Sequence, residues 1–254
     1  MAHVCLNCGH KYAGNFCNEC GQKAKVKRLD WHYLVHEIPH SIFHIDKGFF
    51  FTLKEMLKHP GVVIQEYLNG KRAKYFPPLT YLFILGTIAG LVYLRIPFVE
   101  LSGNDAPGKA FVEKFLHLFG KNYNFVTLAS IPLFGLITWL FYKKERNFVE
   151  ITTAHFFIFG TINLMMLISA VALFHPPQWL LSITNILSTL LMLGYQVWCY
   201  STMFVTRSRT RRIWYGILIS IICSIIALLL TFGLVIVYLL VMMKENPELI
   251  PINK

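Results

Sequence analysis

Hydrophobic and polar positions divide the 254-residue chain into a polar head and an apolar body. Five apolar runs, at about 78–94, 123–142, 151–174, 179–205 and 213–243, approach or exceed the roughly twenty residues that cross a hydrocarbon core. The first is barely long enough, and the last is long enough to tilt or project past the bilayer. Upstream, Phe49, Phe50, Leu53, Met56 and Leu57 recur at helical spacing, with Lys54, Glu55 and Lys58 on the other side. That pattern predicts a helix lying in the membrane interface. Pro60 suits the first turn of a second short helix and Gly70 its end. Lys71, Arg72 and Lys74, with Tyr75, Phe76 and Tyr81, then stand at headgroup depth before the first run. The expected fold is an all-α integral membrane protein. A small ribbon occupies 1–24, amphipathic interface helices 25–76, and a five-helix transmembrane bundle 77–254.

Composition agrees. Hydrophobic residues make up 55% and charged residues 15%, with a mean hydropathy of +0.51, whereas soluble domains carry about 25% charged residues. The N-terminus is polar and the first apolar run comes late, so no secretory leader is expected. A net charge of +11 would suggest nucleic acid in a soluble protein. Here the basic residues sit beside apolar runs, where anionic lipid is the simpler partner. With the N-terminus inside and five crossings, the inner segments carry eighteen Lys and Arg and the outer ones six. The positive-inside rule then puts the N-terminus in the cytoplasm and the C-terminus outside.

The head reads CLNCGHKYAGNFCNECGQ. Cys5 and Cys8, then Cys17 and Cys20, form two C-x-x-C knuckles, each followed by glycine. Two thiolates spaced this way grip one ion from a tight turn, and two knuckles close a tetrahedron with no position left for water. A structural Zn²⁺ is expected, with a short hairpin between the knuckles turning at Ala13-Gly14-Asn15. A disulfide pair would need an oxidising compartment, against the charge asymmetry. Cys199 and Cys223 stand alone in apolar runs, as small hydrophobes do.

His32, His36, His40 and His44 recur every fourth residue, and His36-Glu37-x-x-His40 has the form of the zinc-protease motif. Pro39 breaks the turn that would align the two histidines, and no third ligand stands at a persuasive spacing. Two readings remain. One is a short helix capped by Asp30, lying on the membrane with Trp31, Tyr33 and Phe43. The other is a second metal or proton site from His40, His44 and Asp46, with Glu150 and His155 at the same membrane face.

The stretches HIDKGFFFTLKEML, HPGVVIQEYLNGKRAKYFPP and VEITTAHFF, with the paired knuckles before them, resemble a bacterial integral-membrane family common in Bacteroidetes. It is catalogued as domain-of-unknown-function family 3667. The resemblance runs through most of the chain in order. It implies a fold and a location in the bacterial inner membrane, not a reaction. The preferred function is non-enzymatic, with the cytoplasmic ribbon docking a protein partner at the membrane. The alternatives are a small transporter or channel, or a membrane enzyme using the His/Asp site at the cytoplasmic interface. No phosphate loop, nucleophile elbow or acidic pair points to a particular chemistry.

Overall fold

The computed structural model describes residues 3–31, 47–93, 109–171, 178–204 and 208–245. The whole histidine ladder, with Glu37, Pro39 and Asp46, lies outside them. Two short strands, β1 (His3–Val4) and β2 (Lys11–Tyr12), pair antiparallel in the head. Among the described residues eight helices follow: α1 (Lys47–Lys58), α2 (Pro60–Leu68), α3 (Pro78–Tyr93), α4 (Lys109–Lys121), α5 (Tyr123–Tyr142), α6 (Phe148–Val171), α7 (Gln178–Thr202) and α8 (Arg209–Glu245).

Of the five expected spans, the described residues support three. Among the described residues, three helices are long and apolar enough to cross a membrane: Tyr123–Tyr142, Phe148–Ser169 and Arg209–Val241. The apolar run at 78–94 is described as helix over 16 residues, Pro78–Tyr93, up to where the described residues stop. The run at 179–205 forms the 25-residue helix α7, uncharged throughout and studded with the polar side chains Thr184, Ser188, Thr189 and Gln196.

Hydrogen bonds and close approaches show how these helices run. Asn124, at the start of α5, donates to Thr87, late in α3. Thr138, late in α5, meets His155, early in α6. His155 also meets Tyr200, late in α7, and Gly216, early in α8, lies against Val197. Successive helices from α3 and α5 to α8 therefore alternate in direction between two poles. The head, α1, α2, the α5–α6 turn and the start of α8 gather at one, the head pole. The helix α4 lies at the other.

α6 is the central helix: 67% of its spanning window is buried, against 17% for α8. α8 and the outer face of α7 leave Leu187, Leu190, Leu228, Leu229 and Phe232 exposed, as a lipid-facing surface would. Apolar contact between helices gains little where the solvent is itself hydrocarbon, so close packing and hydrogen bonds must hold such helices together.

The interface helices are more deeply built in than their amphipathic pattern suggests. Phe49, Thr52 and Met56 of α1 are buried, while Phe50 is left exposed. α2 buries Val63, Ile64, Tyr67 and Leu68. These side chains join Tyr81, Phe157, Cys199 and Met203 in the main core. Tyr67 meets Phe157 edge-on at 5.2 Å. Polar ties seal the junction: Thr52 Oγ1 accepts from the Phe76 amide at 2.7 Å, Gln65 donates to the Thr202 carbonyl at 2.8 Å, and Tyr195 donates to the Met56 carbonyl at 3.1 Å.

Candidate metal centre

In the head each knuckle is the tip of its own small hairpin. The Cys5 amide donates to the His10 carbonyl, and the Gly9 amide to the Cys5 carbonyl, both at 2.9 Å. The second knuckle repeats this: Cys17 N–H to the Gln22 carbonyl at 2.8 Å, and Gly21 N–H to the Cys17 carbonyl at 2.9 Å. Gly9 and Gly21 hold φ of 76° and 71°, the left-handed region that a residue with a Cβ enters at a cost. The strands β1 and β2 flank the first knuckle, and a Phe16–Lys23 bridge flanks the second. This corrects the expected hairpin between the knuckles: Ala13, Gly14 and Asn15 link the two halves instead.

The two hairpins bring the four sulfurs together. Cys5 Sγ lies 3.5 Å from Cys20 Sγ, and Cys8 Sγ lies 3.6 Å from Cys17 Sγ. All four ligand atoms fall within 4.8 Å of one another. A disulfide would bring two sulfurs to about 2.05 Å. Four sulfurs each about 2.3 Å from one ion would stand roughly 3.8 Å apart. The observed spacing matches the second case, so the cluster fits one metal ion in a closed tetrahedral site. Burial opposes ionisation of Cys5, but the amides of Cys8 and Asn7 outweigh it and bring that thiol down to about 6. At Cys8 the His10 amide favours ionisation, yet burial and the neighbouring sulfurs push it up to about 12. A cation at the centre removes this mutual repulsion.

Residues 22–31 fasten the ribbon to the helices. Gln22 donates to the Gly70 carbonyl and accepts from the Ala73 amide at 2.8 Å. Gly70 follows α2 with φ of 99°. Its amide donates to the Tyr67 carbonyl and that of Lys71 to the Glu66 carbonyl, the Schellman pattern that ends a helix. Glu66 then secures the chain beyond: Lys71 donates at 2.8 Å, Lys74 at 3.3 Å, and the Tyr75 hydroxyl also donates. Burial alone would raise the Glu66 carboxyl, but these donors bring it down to about 2.

Glu150 and His155, expected at a shared second site, have separate structural partners. Glu150 is buried and receives Arg28 in bidentate fashion, Nε at 2.8 Å and Nη2 at 2.9 Å. It also forms a reciprocal cap with Asn147. The Asn147 amide donates to Glu150 at 2.9 Å, and the Glu150 amide donates to Asn147 Oδ1 at 2.7 Å. Asn147-Phe148-Val149-Glu150 carries that capping box in the sequence. Glu150 is thus held in an ion pair with the linker. His155 is fully buried one helical turn and a half further on. Its Nδ1 lies 2.9 Å from the Ile151 carbonyl, an acceptor only, so the proton sits there. Nε2 faces the hydroxyls of Thr138 and Tyr200, each at 3.2 Å. The remaining expected members, His40, His44 and Asp46, lie outside the described residues. Arg28 was missed as a partner because 122 positions separate it from Glu150.

A family model described as "Protein of unknown function (DUF3667)" matches residues 46–90, which cover α1, α2 and most of α3. No curated protein and no solved structure matches the chain.

Proposed function

We propose that the head is a structural zinc ribbon that docks a protein partner at the cytoplasmic face of a bacterial inner membrane. The observation that carries this reading is the tethered four-sulfur cluster with an apolar outer surface. Val4 and Phe16, flanking the two knuckles, are 62% and 55% exposed. A ribbon serving only to fold itself would have little use for bare aromatic and branched side chains, and apolar anchors of this kind are what partners bury. Four thiolates select soft, tetrahedral ions, and zinc is the one without redox chemistry. The basic residues of the head, the α2–α3 connection, Lys143, Lys144, Arg146 and the start of α8 all lie at the head pole. That distribution favours the head pole as the cytoplasmic side, where thiols stay reduced.

The enzyme reading is weaker, since Glu150 and His155 are committed to packing contacts. A transporter would need a polar conduit, whereas the large cavity described below has apolar walls. The docking reading is tested by placing a photocrosslinking amino acid at Phe16 or Val4 in cells. A discrete adduct with one protein is expected at both positions, lost when Cys5 and Cys8 are changed to Ser. Crosslinks only to lipid, or none, would remove the docking role.

A further inference from the structure

A cavity of about 770 Å³ opens between α4, α5, α6 and α8, with Gln196 of α7 also in its wall, within the range of small-molecule sites. Phe134, Ile162 and Ala227 form part of its wall, and no charged residue lines it. Phe115, which meets Tyr238 at 5.6 Å, and Phe119, which meets Tyr123 at 6.0 Å, close the end toward α4. Toward lipid, the exposed side chains of Phe125, Leu133, Leu230 and Leu234 border the mouth. Solvents of the two membrane faces have no part in such a wall, but a hydrocarbon chain entering sideways from the bilayer does.

The wall contains two unmatched amide atoms, Nδ2 of Asn163 and Oε1 of Gln196, of which Asn163 is the more deeply buried. Asn163 is 1% exposed and lines the cavity. Its Oδ1 accepts from the Tyr123 hydroxyl at 2.7 Å, while its Nδ2 has no hydrogen-bond partner. Turning the amide over would leave the carbonyl unpaired instead, since Tyr123 serves one end only. A buried amide donor without an acceptor is costly, more so in a hydrocarbon setting. Asn163 stands eight residues before Val171, the last described residue of α6, so it is at least about 12 Å inside that end at 1.5 Å per residue. A charged phosphate linked to a group at this depth would be drawn among Phe115, Phe119 and Phe125, where nothing offsets its charge.

We propose that the cavity binds one uncharged acyl ester, its chain along the apolar wall and its ester carbonyl accepting from Asn163. The site is independent of the ribbon and its metal. The probe is a monoacylglycerol with a diazirine in its acyl chain, added to the full-length protein in vesicles of phosphatidylethanolamine and phosphatidylglycerol. Labelling is expected to saturate near one probe per chain and to map to 115–134, 162–166 and 223–234. Unlabelled monoolein should compete, whereas octadecane, which lacks the carbonyl, should compete at least about five-fold less well, as one lost hydrogen bond implies. Asn163→Leu should weaken binding by a similar factor, and Ala227→Phe should abolish it by filling the cavity. The competition on unaltered protein stands even if either variant folds poorly. Non-saturable labelling spread over Leu190, Leu229 and Phe232 would mean annular lipid only and overturn the proposal. So would equal competition by octadecane, complete suppression by raising the phosphatidylglycerol content, or crosslinks from Phe125 to a second copy of the chain.

Discussion

Replacing Arg28 with Met tests how the ribbon is held to the helices. Arg28 binds both oxygens of Glu150 at 2.8 and 2.9 Å, and the Glu150 side chain is 2% exposed while that of Arg28 is 63% exposed. Removing one partner of a fully buried pair costs about 3–5 kcal/mol, because the other charge is left without compensation. Two features lower the figure here. Arg28 is mostly in water already, and Arg146 Nη1 waits 3.9 Å from the same carboxylate. We take about 2 kcal/mol, a shift of roughly 30-fold in the equilibrium between docked and detached linker. Trypsin cleavage after Lys25 and Lys27 reads the detached population when opening is faster than cutting. Arg28→Met should speed it by about that factor. Glu150→Gln should do less harm, since a neutral amide leaves no bare charge, and in the double variant the two effects should fail to add by at least about 1 kcal/mol. Equal cleavage of Arg28→Met and the unaltered protein, or additivity within about 0.3 kcal/mol, would refute the anchoring role.

Purified protein should hold about one zinc per chain by elemental analysis, and the Cys5→Ser, Cys8→Ser double variant should lose it while the helical content stays the same. Gly70→Ala should free the linker to trypsin, since Gly70 has φ of 99° and an added Cβ would lie 3.1 Å from Leu6 Cδ1 and 3.3 Å from Val26 Cγ1. The strain alone is about 1–2 kcal/mol. Gly14→Ala, with φ of 119° and open space around it, should be strained but leave the docking intact. Glu66 gives a pH signature. Its folded value, about 2, lies below the ordinary 4.5, so its contribution is complete above the unfolded value and lost as pH falls from about 4.5 toward 2. The gap in thermal stability between unaltered protein and Glu66→Gln should close over that window, and a gap that widens on acidification would contradict the clamp.

What could be read from residue order alone follows the range of the interactions. Knuckle spacing, the glycines after it, Pro60 at a helix start and Gly70 after a helix end are local devices, settled within a few residues by backbone geometry. The run of apolar residues likewise marks where helices lie. It does not mark which face of each helix is covered: α6 is mostly buried while α8 is mostly exposed. The amphipathic face of α1 was visible, but its burial was not. Phe49, Thr52 and Met56 are covered by residues from α2, α3 and α7, and Thr52 acts through a hydrogen bond to Phe76 that no periodicity reports.

The polar residues of the body show the same division more sharply. Glu150, His155 and Asn163 stand on one helix, and the sequence presents the first two as candidates for chemistry because ionisable groups are costly in a membrane. Each resolves differently once its neighbours are known. Glu150 is answered by Arg28 from the linker and by its own cap, so its charge fastens the head to the bundle. His155 spends both ring nitrogens on Ile151, Thr138 and Tyr200, tying three helices at one point. Asn163 alone retains an unmatched donor, and it retains it beside a cavity. A polar group in such a setting indicates function in proportion to what its surroundings leave unsatisfied. By that measure the unmatched amide of Asn163 supports the cavity site proposed above, whereas Glu150 and His155 find their partners within the bundle and the linker.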